Sequence, residues 1–108
     1  VKRGDIVTVA VAGDYGKPRP AVVIQSDWLD ETDSVLVCLL TTVARDAPLY
    51  RLAVLATTAT GLREPSQIMV DKVVAVRRDK CGGVIDRLDD TGLAALGRML
   101  ALVIGLAD

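Results

Sequence analysis

The sequence predicts a mainly β fold, a small and strongly curved antiparallel sheet or barrel carrying one C-terminal helix. Three observations point to it. Six short β-branched or aliphatic runs between residues 5 and 88 are separated by Gly, Pro and Asp turn chemistry. From Asp90 onward the apolar spacing changes to three-four along Leu93, Leu96, Leu100, Val103 and Ala107. The chain has 108 residues with no Phe, one Trp and two Tyr, which is enough for one domain with a single aliphatic core.

The elements follow in order. Asp5 to Val11 alternates and is β-branched, so it reads as a first strand. A loop from Ala12 to Pro18, with two glycines, leads into a second strand over Pro20 to Gln25, apolar on both faces and therefore central or interface-facing. The acidic stretch Asp27 to Asp33 reads as a connector with one helical turn capped by Ser26, and Trp28 within it as a packing anchor or part of a partner surface. Val35 to Thr42 is the third strand, Tyr50 to Leu55 the fourth, and Gln67 to Val76 the fifth, with a break expected near Asp71-Lys72. The run Arg77 to Gly83 turns the chain into a short last strand, Val84 to Leu88. Asp89 or Asp90 then caps the helix. Met99, Leu102, Ile104 and Leu106 lie off its apolar stripe, so the helix has two sides to bury, the second against another subunit.

Composition narrows the chemistry. A formal charge of -1 argues against a general nucleic-acid coat and leaves room for a local basic groove. Cys38 and Cys81 fit a reducing cytosol better than a disulfide framework. With no histidine, and cysteines not spaced as ligands, no metal site is expected. The acidic connector lacks the mid-loop glycine and terminal glutamate of a calcium loop. The opening Val1-Lys2-Arg3-Gly4-Asp5 runs straight into a strand, so no signal peptide is expected. The C-terminal apolar segment, interrupted by Arg98, is too short to span a membrane.

The stretch Gly16-Lys17-Pro18-Arg19-Pro20-Ala21-Val22-Val23-Ile24-Gln25 carries the most chemistry. Each proline fixes its own φ and holds the residue before it in extended conformation, so the backbone around Arg19 is stiff before folding. A guanidinium is always charged and offers a planar fork of donors suited to phosphate. Lys2-Arg3-Gly4-Asp5-Ile6-Val7 and Arg19-Pro20-Ala21-Val22-Val23-Ile24 resemble the MazF/PemK toxins of bacterial toxin–antitoxin systems. So do Leu39-Leu40-Thr41-Thr42, Gly61-Leu62-Arg63-Glu64-Pro65-Ser66, Met69-Val70-Asp71-Lys72-Val73 and the Leu88-Asp89-Asp90 approach to the helix. The resemblance spans essentially the whole chain, and it is the ordered set of motifs that makes it specific.

The resemblance implies an SH3-like barrel with a C-terminal helix, a cytoplasmic homodimer, and metal-independent, cofactor-free cleavage of single-stranded RNA. It implies a cognate antitoxin whose disordered, often acidic tail occupies the RNA groove, and contact with DNA only through the antitoxin complex. It sets the catalytic arginine on Arg19, a hydroxyl partner on Thr41, an acidic residue on Asp14 and a site aspartate on Asp71. Two features of some members are replaced here, a histidine before the arginine by Pro18 and an arginine on the fifth strand by Met69. Arg19 suits stabilisation of a phosphorane, Thr41 suits hydrogen-bond donation, and Asp14 suits the base. Lys17, Arg63, Lys72, Arg77 and Arg78 can contact phosphates if they face one groove, and Tyr15 can stack a base. Two other readings remain on the same barrel: a gyrase poison, disfavoured by the non-aromatic end Leu106-Ala107-Asp108, and a catalytically silent dimer that binds antitoxin.

Overall fold

The computed structural model describes residues 1–10, 17–56 and 62–108. Among them, six strands form one antiparallel sheet: β1 (Asp5–Ala10), β2 (Pro18–Val23), β3 (Ser34–Thr41), β4 (Arg51–Val54), β5 (Ser66–Arg77) and β6 (Cys81–Arg87), followed by helix α1 (Asp90–Val103). The order across the sheet is β4-β5-β3-β2-β1-β6, so the doubly apolar β2 is central, as its composition requires.

Two-residue alternation sorts the aliphatic side chains into two buried clusters. Ile6, Val22, Cys38, Leu40, Ile68 and Val70 face α1, which covers them with Leu96 while Leu93, Met99, Leu100 and Val103 pack around the rim. Val7, Val9, Ala21, Val23, Val35, Val37 and Val76 form the second cluster, with Leu39, Val74 and Cys81 packed against it. That second face is buried by the sheet itself, which has to twist and curl to bring Val76 of β5 toward Val7 and Val9 of β1. The sheet is barrel-like but not closed, with β4 and β6 as its edges.

The N-terminal turn ties three elements together. Gly4, at φ 94°, donates to Val23 O at 2.8 Å and accepts from Leu88 N at 2.9 Å, while Leu93 of α1 packs over the space a Cβ would take. The buried Asp5 carboxylate accepts from Lys2 N at 2.7 Å and meets the Arg87 guanidinium at 2.8 Å, an ionic contact rather than a directed hydrogen bond.

Several boundaries differ from the sequence reading. β2 starts two residues early, at Pro18, because it pairs with β1 from Ala10↔Pro18 onward. β5 is continuous through Asp71-Lys72, yet its ladder to β3 jumps there, from Cys38↔Val73 to Leu40↔Ile68. Cys81, Gly82 and Gly83 belong to β6 rather than to a turn, which is confined to a 3₁₀ turn at Arg78–Lys80. Glycine permits this, since a Cβ on Gly82 would overlap the Thr8 hydroxyl. The acidic connector is a hydrogen-bonded turn with no helix, Leu29 N donating to Ser26 O at 3.0 Å and Ser26 Oγ accepting from Trp28 N at 3.2 Å. Trp28 is 93 % exposed, which removes the packing-anchor reading. The helix ends at Val103 because Gly105 takes φ 83°, so Ala107 lies beyond the stripe.

Candidate active site

The site begins with missing donors. Ile24 N donates across to Leu36 O at 3.0 Å, so by alternation the backbone of Val22, Pro20 and Pro18 also faces β3. Prolines have no N–H to offer there, and the β2–β3 ladder stops at Ala21↔Leu39. Beyond that rung the strands run on without pairing. Arg19 and Thr41 each lie two residues beyond that last rung, on the two strand ends that border the gap. On its other side β2 remains paired to β1, with Arg19 against Val9. The arginine is thus held on an extended, proline-braced backbone, and it is exposed.

A cleft of about 500 Å³ opens on the proline side of this gap. Pro18, Pro20, Ile85 and Leu62 give it apolar walls, while Thr8, Thr42, Ser66, Arg63 and Glu64 supply polar groups. Arg19 itself is not one of its lining residues; its two proline neighbours are. A smaller hollow of about 240 Å³ lies toward β6 and brings Asp79 and Lys80 beside Pro18.

Thr41 is half-buried, and its Oγ1 accepts from Val43 N at 3.1 Å. A hydroxyl has one proton and two lone pairs, so this acceptance leaves the O–H to donate outward. Across the sheet Thr41 pairs with Gln67. The Gln67 amide holds the backbone of Arg45 at both ends, Oε1 accepting from its N–H at 3.0 Å and Nε2 donating to its carbonyl at 3.1 Å. Arg51 Nη1 donates to Val43 O and to Gln67 Oε1, each at 3.0 Å.

The other expected site residues divide. Asp14 and Tyr15 lie outside the described residues. Lys17 is exposed next to Pro18, and Arg63 borders the cleft, so these two join the Arg19 end of the sheet. Asp71 and Lys72 sit in the β5 register jump and pair with one another at 2.9 Å. The Lys72 hydrogen bond, ahead of the more distant Arg51 charge, holds the Asp71 carboxyl below its usual range. Arg77 is committed to Asp79 at 2.6 Å at the Ser34 end of the β3–β5 ladder, so only its partner reaches the hollow beside Pro18. Arg78 anchors the acidic connector, donating to the carbonyls of Leu29 and Thr32, and does not belong to a groove of cations.

Gln67, Arg51 and Lys80 escape the sequence reading. Gln67 and Arg45 are 22 residues apart in sequence, and only the strand register joins them. Burial first, and the Asp71 charge second, push the Cys38 thiol up to about 12, which makes it an inert core group. Burial likewise raises Cys81. Among the described residues no three His, Cys, Asp or Glu side chains gather as metal ligands, and no helix is long and apolar enough to cross a membrane.

Comparison with known proteins agrees with the fold and with the motifs. Residues 2–104 match the family described as PemK-like, MazF-like toxin of type II toxin–antitoxin system. The chain is 44 % identical over 108 residues to a probable endoribonuclease MazF of Mycolicibacterium smegmatis, covering 99 % of each sequence. Among solved structures it resembles an endoribonuclease in complex with its cognate antitoxin from a mycobacterial species, with TM-score 0.79, 19 % identity and coverage of 98 % and 96 % of the two chains. The Mycobacterium tuberculosis toxin MazF-mt6 superposes with TM-score 0.79 at 20 % identity, over 94 % of this chain and 96 % of that one. A MazE–MazF structure from Deinococcus radiodurans gives TM-score 0.76 at 18 % identity, over 97 % and 95 %. At these identities the structures speak to the fold alone.

Proposed function

We propose, for a chain that belongs to the PemK-like, MazF-like toxin family of type II toxin–antitoxin systems, endoribonuclease action on single-stranded RNA centred on Arg19 and Thr41. The observation that supports the assignment to these two residues is the interrupted β2–β3 ladder, whose unpaired ends carry Arg19 on a proline-braced backbone and Thr41.

The chemistry follows from what the two side chains offer. The 2′ oxygen of the substrate attacks the adjacent phosphorus, a P–O2′ bond forms and the P–O5′ bond breaks. The 2′ proton passes to a base, the 5′ oxygen takes a proton from water, and the products are a 2′,3′-cyclic phosphate and a 5′-hydroxyl. This route uses the substrate's own nucleophile and needs no metal. Arg19 neutralises the charge that builds on the phosphoryl oxygens, because its fork holds two of them at once. Thr41 donates its free O–H to the phosphate or to the 2′ oxygen. A guanidinium gives up its proton too reluctantly to serve as a general acid, so its role is charge stabilisation. Asp14 is the proposed base.

The cleft beside Pro18 and Pro20 opens on the proline side of the gap rather than on the Arg19 side, and it suits an unstacked base of a flanking nucleotide, with apolar walls for its faces and Glu64, Ser66 and Thr42 for its edge. Lys17 and Arg63 supply flanking phosphate contacts. A homodimer, located in the cytoplasm and neutralised by an antitoxin whose acidic tail mimics RNA along this groove, completes the reading. The test is substitution. Arg19→Ala lowers the rate of RNA cleavage by about 10²–10³-fold, the size of losing one preorganised charge-stabilising donor, and Thr41→Ala lowers it by roughly 10²-fold. Both keep the wild-type Tm and oligomeric state. Full activity in both variants contradicts the assignment.

A further inference from the structure

We infer that Gln67 is a positioning residue of this active site, acting through the β3–β4 corner to aim the Thr41 hydroxyl. The inference rests on the nuclease reading above, but its structural half can be measured without RNA.

The argument is a short chain of contacts. Thr41 is the last residue of β3, paired with Gln67 of β5 on one side and unpaired on the β2 side. Its hydroxyl is oriented by one hydrogen bond, from Val43 N at 3.1 Å. Residues 42–50 between β3 and β4 are outside any strand, so the position of Val43 N depends on what holds that segment. Two side chains do. Gln67 grips Arg45 by both its N–H and its carbonyl, at 3.0 and 3.1 Å, as a neighbouring strand would. Arg51 holds the Val43 carbonyl at 3.0 Å and is itself tied to the same Gln67 oxygen at 3.0 Å. One amide therefore holds Arg45 directly and braces the Arg51 guanidinium that holds Val43, and Val43 N holds the hydroxyl.

The arrangement has a chemical consequence. With Val43 N occupying one lone pair, the Thr41 proton is left to donate away from the corner. Without the clamp the corner relaxes, the hydroxyl rotates freely, and donation to the scissile phosphate loses its alignment. Misplacement of about 1 Å at a reacting group can cost as much as 10²-fold in rate. Arg19 and most of the cleft wall lie outside the relaxed segment, which reaches the cleft through Thr42, so the larger effect is expected on the chemical step. The expected signature is a loss in kcat with little change in KM. Glutamate at position 67 keeps both acceptor contacts, to Arg45 N and to Arg51, and gives up only the donation to Arg45 O.

The experiment compares wild-type protein, Gln67→Ala and Gln67→Glu on a short single-stranded RNA containing one cleavage site, well below the Tm of each. Gln67→Ala is expected to lower kcat about tenfold or more with KM within about twofold, and Gln67→Glu to recover most of the loss. In amide NMR spectra of the RNA-free protein, Gln67→Ala shifts the Val43 N–H upfield and speeds its exchange, while Val37 in mid-strand stays put. A merely structural Gln67 lowers Tm and leaves kcat alone, and that result overturns the inference, as does an unmoved Val43 amide. If Arg19→Ala and Thr41→Ala keep full activity, the nuclease assignment fails first. If they lose activity while Gln67→Ala keeps wild-type kcat, only the clamp fails.

Discussion

Single residues divide here into groups that titrate or donate and groups held inert. Cys38 is the clearest inert case. Its thiol sits fully buried with Sγ at 4.0 Å from the Val70 carbonyl, and its pKa is pushed up to about 12. A raised thiol pKa favours the protonated folded state. The stability it confers is full below the unfolded value near 9.0 and is lost as pH rises from there toward about 12. Thermal unfolding from pH 7 to 10.5 should therefore show a steeper alkaline fall in Tm for the wild type than for Cys38→Ala. Parallel curves contradict the burial account. At this scale Arg19 is legible in the sequence, because prolines on both sides announce a stiff backbone. Thr41 is legible only through the family resemblance, since Thr42 beside it offers the same chemistry and only the register separates their faces. Gln67 is illegible, because its partners Arg45 and Arg51 become neighbours only when β4 and β5 pair.

At the scale of elements, the informative object is the end of β2. A proline pair in a central strand ordinarily argues against a strand. The structure resolves this by ending the β3 pairing where the prolines begin while keeping the β1 pairing to Pro18. The sequence places the prolines at the strand mouth but cannot say that β1 would extend past them. Pro20→Ala returns an N–H on the β3 side and lets the ladder grow toward Leu40. Tm should hold or rise, and cleavage should fall as the gap narrows. A variant with undiminished cleavage contradicts the view that the gap is the working feature. The helix was more readable. Its Leu93, Leu96, Leu100 and Val103 stripe packs on the core as the spacing requires, and Asp89 caps it by accepting from Gly92 N at 2.7 Å. Its end was less so, because Gly105 becomes a stop only through its left-handed conformation.

The whole molecule shows why a chain this small builds two cores. The curled sheet buries valines on its inner face and leaves the outer face to α1, so the strand ends are free to carry function. The fold class was legible from alternation and helical spacing. The curvature that brings Asp79 and Lys80 beside Pro18 was not, since it arises from twist summed over strands and from bulges in the β1–β6 pairing. The chain has no histidine, so its pH–rate profile should lack an inflection near 6.5, where no other side chain titrates unperturbed. A sharp inflection there contradicts charge stabilisation by Arg19 with a carboxylate base. The most direct test replaces one atom of the substrate. Once a cut site is mapped, an RNA with a single 2′-deoxy nucleotide on the 5′ side of that bond is incubated with the protein in EDTA. The account predicts that the modified RNA stays intact while its all-ribose counterpart is cut to a 5′-hydroxyl end; cleavage of both at equal rates contradicts it.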